Sequence, residues 1–175
     1  GRVLGTTPRI SGSTGWHTIL VGGLNAGGKG YYALDVTDPE NPSSLWEFDS
    51  SSACTPACDV GLSFGKPIIG KLKNGTWAVF LTSGYNNSSG KGKLYVLNAL
   101  TGQLISQIST NQGSSTAPSG LAKVSSFVDF QRIDNTVERL YGGDLLGNIW
   151  RFDVNDAIAP AGLEAALIGT ATSAD

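Results

Sequence analysis

Apolar and polar residues alternate along Ile149-Trp150-Arg151-Phe152-Asp153-Val154. A period of two predicts a half-buried β-strand. A shorter apolar run, Val137 to Tyr141, precedes it, and the turn-forming stretch Gly142-Gly143-Asp144-Leu145-Leu146-Gly147-Asn148 joins the two. Residues that tolerate positive φ between two such runs predict a hairpin. The same pattern occurs twice before. Ile19–Gly23 leads through a glycine-rich turn to Gly30–Val36 and then Ser44–Phe48; Val79–Gly84 leads to Gly92–Asn98 and then Gln103–Ile108. Tyr32, Tyr95 and Trp150 superpose at a period of roughly 55 to 63 residues, somewhat longer than common propeller repeats.

Further strands complete the units. Trp16–Val21 is the first strand expected, and Lys66–Lys73 is paired through Asn74-Gly75, a strong hairpin signal, with Thr76–Phe80. Leu121–Phe127 and Ala165–Thr170 serve the third unit. Each unit therefore reads as a four-stranded antiparallel sheet, the form of a propeller blade. The predicted class is all-β, a quinoprotein-like β-propeller represented by about three blades. Repeat one covers about residues 1–50, a linker with two cysteines 51–62, repeat two about 63–112, and repeat three about 119–175. Propeller rings typically close with four to eight blades, so three repeats are expected to be part of a larger ring.

Composition sharpens this picture at few points. The chain has 175 residues, 40% of them hydrophobic, which suffices for a sizeable core. Twenty-four glycines with only 15% charged residues favour short strands and turns. A formal net charge of −2 without a basic stripe argues against nucleic-acid binding. No apolar run reaches the length of a transmembrane helix. His17 is the single histidine and is read as a satisfied residue rather than a metal ligand. Asn25–Gly30 is glycine-rich and contains Lys29, but lacks the Gly-Lys-Ser/Thr ending of a phosphate loop and reads as a hairpin turn.

Two stretches carry candidate chemistry. Cys54 and Cys58 lie in a polar loop between repeats. They are too few for a zinc site and spaced one residue too far apart for a redox Cys-x-x-Cys. A local disulfide is the preferred reading, and it implies an oxidising compartment. The second stretch is Asp129-Phe130-Gln131-Arg132-Ile133-Asp134-Asn135-Thr136-Val137-Glu138. Calcium takes several oxygen ligands from one short, sharply bent loop. Asp129, Asp134 and Glu138 supply carboxylates, and Asn135 tolerates the left-handed bend. Phe130 and Ile133 interrupt the oxygen-rich alternation and Arg132 adds a positive charge, so a polar hairpin loop is the other reading.

These segments, together with Gly30–Pro39, Leu45–Phe48, Ser63–Gly70, Ser83–Asn87, Leu94–Leu97 and Tyr141–Asp153, resemble the C-terminal propeller of the type IV pilus biogenesis and tip-adhesin family, the PilC/PilY type. The resemblance runs in order from about residue 15 to the end. It implies an exported bacterial protein of the periplasm, outer membrane surface or pilus tip. It further implies support of pilus assembly, control of retraction, adhesion to surfaces or host cells, and partners among pilins, minor pilins and a surface receptor. In that family the loop before the final hairpin is an aspartate-rich calcium loop. Asp129, Asp134 and Glu138 stand at matching places, whereas the middle oxygen ligand and the glycine are missing. No organic cofactor and no catalytic residue are expected.

An enzymatic alternative is a quinoprotein dehydrogenase, whose blades end in similar Trp-containing strands. It would need metal ligands and an activating base around a central cofactor. The sequence offers no such cluster. A carbohydrate-binding surface built on Trp16, Trp46, Trp77 and Trp150 is a third possibility, but tryptophans of this kind more often fill space between blades.

Overall fold

The structure is a computed structural model that describes residues 9–12, 15–129, 132–155, 158–159 and 162–171. It contains three four-stranded antiparallel sheets, each running in chain order from its first strand to its fourth. Blade one comprises β1 (Arg9–Gly12), β2 (Gly15–Gly23), β3 (Gly30–Asp35) and β4 (Ser43–Asp49). Blade two comprises β5 (Ile68–Lys71), β6 (Trp77–Thr82), β7 (Lys93–Asn98) and β8 (Leu104–Ser109). Blade three comprises β9 (Lys123–Phe127), β10 (Arg139–Gly143), β11 (Asn148–Asp153) and β12 (Ala165–Thr170). The final hairpin pairs Gly142 with Trp150 and Leu140 with Phe152.

The turns follow from local chemistry. Leu72 accepts from the Gly75 amide at 2.8 Å and donates to Thr76 at 2.8 Å, with Gly75 at φ 84°. That is a three-residue hairpin loop whose last position requires a left-handed backbone. The final hairpin repeats it: Gly147 donates to Asp144, Asp144 donates to Asn148, and Gly147 has φ 80°.

The blades stack through two apolar layers. Ile19, Val21, Tyr31, Trp46 and Phe48 of blade one meet Val79, Leu81, Tyr95 and Leu97 of blade two. The opposite face of blade two, with Ala78, Phe80, Leu94, Val96 and Ile108, meets Val124, Leu140, Trp150 and Phe152 of blade three. Blade two is covered on both sides, so β6 and β7 are continuous apolar runs, whereas β11 alternates because only one of its faces is covered. Phe80 and Leu94 are fully buried, and each such side chain contributes about 2 kcal/mol through burial. Tyr31 fits this layer because its hydroxyl donates to the Thr82 carbonyl at 3.0 Å. Burial pushes its phenol up to about 12 despite that bond.

One irregularity recurs. The pairing between third and fourth strands shifts by one residue in every blade, at Ala33/Leu34, Val96/Leu97 and Ile149/Trp150. The outer strand carries the extra residue, as in a β-bulge. In β8 the consequence is visible: Leu104 packs toward blade one, whereas Ile108, of the same parity, packs toward blade three.

Candidate functional site

The segment between β9 and β10 is positioned by blade two as much as by its own blade. Lys71, the last residue of β5, donates its amide to Asn135 O at 2.8 Å and accepts from the Val137 amide at 2.9 Å. A short parallel bridge joins Lys71 to Thr136. Gly70 permits the approach, because a methyl there would overlap the Val137 side chain. Asn135, Thr136 and Val137 thus lie as an annex along the β5 edge of blade two.

The three candidate ligands are held separately. Asp134 Oδ1 accepts from the Lys71 ammonium at 2.8 Å, the Thr136 amide at 3.1 Å and the Thr136 hydroxyl at 2.8 Å. Lys71 first, then Thr136, holds this carboxyl below its ordinary range. Glu138 Oε2 accepts from Asn155 Nδ2 at 2.8 Å, and its amide continues the β9–β10 pairing onto Phe127. Asp129 is exposed at the end of β9. Among the described residues no group of three or more His, Cys, Asp or Glu side chains converges as a metal site. Arg132 and Ile133 are exposed, and Phe130, read as interrupting the loop, lies outside the described residues. As placed, the described donors do not assemble the six to eight oxygens that calcium takes. The positive charge beside Asp134 comes from Lys71 rather than from Arg132.

Cys54 and Cys58 are joined by a disulfide, with Cα atoms 5.3 Å apart. Cys58 is buried in the layer between blades one and two, so the loop is anchored to the core rather than stapled in solvent.

Three further acidic residues organise turns, links and strand pairing. Asp144 gathers five donors: the amides of Leu146 and Asn148, Asn148 Nδ2, Trp150 Nε1 and Ser119 Oγ. Burial pushes its pKa up, but the bonds from Trp150, Asn148 and Ser119 outweigh it and leave the carboxyl below its usual range. Asp59 accepts from Asn87 Nδ2, the Ser88 and Ser89 amides and Ser89 Oγ, tying the blade-one-to-two link to the β6–β7 turn. Asp153, with a fully buried side chain, accepts from Arg139 and Arg151, each at 2.9 Å. The sequence signals for Asp144 were its place in an Asp-x-x-Gly turn and the indole six residues on; Asp59 and Lys71 gave none, because their partners are distant in the chain.

The tryptophans fill three of these positions. Trp46 Nε1 donates to Ala99 O across the blade boundary at 2.9 Å, Trp150 serves Asp144, and Trp77 packs against the first apolar layer. Trp16 is exposed. His17 Nδ1 lies 2.6 Å from Asp35 Oδ2, within blade one.

Comparison with known proteins decides the lineage. The family model described as the PilY1 beta-propeller domain matches residues 6–162. The chain belongs to the PilY1 beta-propeller family. It is 40% identical over 139 residues to the type IV pilus biogenesis factor PilY1 of Pseudomonas aeruginosa, covering 79% of this chain and 11% of that protein. A PilY1 homolog of Xylella fastidiosa is 38% identical over 149 residues, covering 80% of this chain and 10% of its own length. The chain therefore spans about a tenth of these curated relatives. The crystal structure of the Pseudomonas aeruginosa PilY1 C-terminal domain superposes with a TM-score of 0.73 at 38% identity, covering 82% of this chain and 28% of that one. PilY1 membership agrees with the three stacked blades and with the repeats read from the sequence.

Proposed function

We propose that this chain is a non-enzymatic part of a PilY1-type propeller platform that supports type IV pilus assembly, restrains retraction and contributes to attachment to surfaces or host cells. The observation that carries the reading is the joint one of PilY1 family membership and the structural use of the buried and half-buried carboxylates. Asp59, Asp144 and Asp153 are spent on turns, links and arginines. Catalysis needs an acid or base poised over a reacting atom, a different arrangement. The disulfide supports an oxidising cell-envelope setting, at the periplasm, the outer surface or the pilus tip. Its partners on this reading are pilins or minor pilins and a surface receptor.

The test is genetic. Loss of the protein should abolish or sharply reduce surface pili, twitching and adhesion, with wild-type complementation restoring all three. A Phe80→Asp variant, which places a charge in the second apolar layer, should not restore them. Normal piliation and twitching in the deletion strain would overturn the proposal.

A further inference from the structure

The position where the family resemblance calls for calcium is served by a cation that the chain carries itself. Asp134 directs Oδ1 at the Lys71 ammonium, 2.8 Å away. The backbone of the same lysine pairs with the loop on both sides of Thr136. Val137, one residue on, is buried against Gly70 and the second apolar layer. Glu138 is turned to Asn155. A divalent ion beside Asp134 would have to displace the ammonium or sit against it, and like charges at that range repel. It would also have to recruit oxygens already engaged: Asn135 O accepts from Lys71 N, and Asp134 Oδ1 accepts from Thr136.

We infer that Lys71 is a positioning residue that takes the place of the metal, clamping the Asp134–Val137 segment of blade three to the β5 edge of blade two and making the order of this segment independent of calcium. One ammonium balances the one carboxylate it meets. It reaches the segment from the preceding blade, adding a polar contact to the apolar layer that stacks the two blades. The inference concerns the loop's chemistry and stands apart from the pilus role.

The experiment combines calcium titration with hydrogen exchange on the protein and two variants. Isothermal calorimetry with about 1 mM free calcium covers the weak end of extracellular calcium sites. The wild type should release no heat that Asp134→Ala removes, and its melting temperature should be the same in calcium and in EDTA. The amides of Lys71 and Val137, which bridge strand and loop, report the clamp. Lys71→Met should speed their exchange about two- to five-fold, the scale of a partly exposed ion pair, and Lys71→Arg should restore protection. A merely structural role of the lysine stem would leave Lys71→Met, which keeps most of that stem, as protected as the wild type. That result, or calcium heat in the wild type abolished by Asp134→Ala, would overturn the inference.

Discussion

Asp144→Ala is predicted to be among the most destabilising single changes outside the apolar layers. Two of the five donors on its carboxylate belong to buried residues, Trp150 and Ser119. Trp150 Nε1 would lose its 2.9 Å acceptor. An orphaned buried donor costs about 1–3 kcal/mol. The Ser119 hydroxyl can rotate toward another acceptor, and the turn amides of Leu146 and Asn148 regain water, so these together add about 1 kcal/mol. The sum is about 3 kcal/mol, near the top of the ordinary range for one substitution. For a chain of this size that lowers the melting temperature by about 6–12 °C. Asp144→Asn keeps an oxygen for the two amides but turns an NH2 group toward Trp150 Nε1 and Asn148 Nδ2, donor against donor, and should lose about 2 kcal/mol. The assay is chemical denaturation of wild type, Asp144→Ala, Trp150→Phe and the double variant. Trp150→Phe removes the orphaned donor, so the double variant should be more stable than additivity predicts by about 1 kcal/mol. The sign of the pH effect is fixed as well. The folded carboxyl is held below its ordinary value, so its contribution is complete above the unfolded carboxylate pKa of about 4 and fades as pH falls through the folded value. The gap between wild type and Asp144→Ala should therefore narrow in acid. Additive energies, or an Asp144→Ala loss below about 0.5 kcal/mol, would refute the reasoning.

Other expectations follow from the same geometry. Asp35 is lowered to about 2, first by the Thr37 hydroxyl and then by His17, so stability should be lost as pH falls from about 4 toward 2; Thr37→Val should shrink that acid-linked loss in pH-dependent denaturation, and an unchanged profile would contradict it. Replacing both Cys54 and Cys58 with alanine should cost at most about 2 kcal/mol, since the ring is short; dithiothreitol should lower the wild-type melting temperature and leave the double variant unmoved. Phe80→Ala, in the second apolar layer, should cost about 3–5 kcal/mol, whereas Ile149→Ala, at a position 45% exposed on blade three, should stay within about 0.5 kcal/mol. Equal costs in urea denaturation would mean that the blades do not stack as described.

The repeats were legible because alternation and turn chemistry are local. Asn74-Gly75 and Asp144–Gly147 announce their hairpins in consecutive residues, and the structure closes both with a left-handed glycine. Strand ends were less exact: the run expected from Val137 begins at Arg139 as β10, because Val137 instead pairs with Lys71 and buries itself against blade two. The loop at 129–138 was legible as polar and acidic, but not as clamped. Its partner is Lys71, more than fifty residues earlier, and only the stacking of blades two and three brings them together. Asn87 stands in the polar run Tyr85–Gly90, yet it is buried on Asp59. A polar residue buried by a distant carboxylate leaves no periodic trace.

The extra residue in each outermost strand, Leu45, Ile105 and Ile168, also says where this architecture has slack. On either side of each kink the side chains keep their own phase, so the perimeter can change length by one amino acid without rotating the inner three strands out of contact. The inner strands hold continuous registers and have no such freedom. Variation in chain length should therefore be absorbed in the outer strands, where it changes which neighbouring blade an outer side chain faces and leaves the pairing of the inner three strands undisturbed.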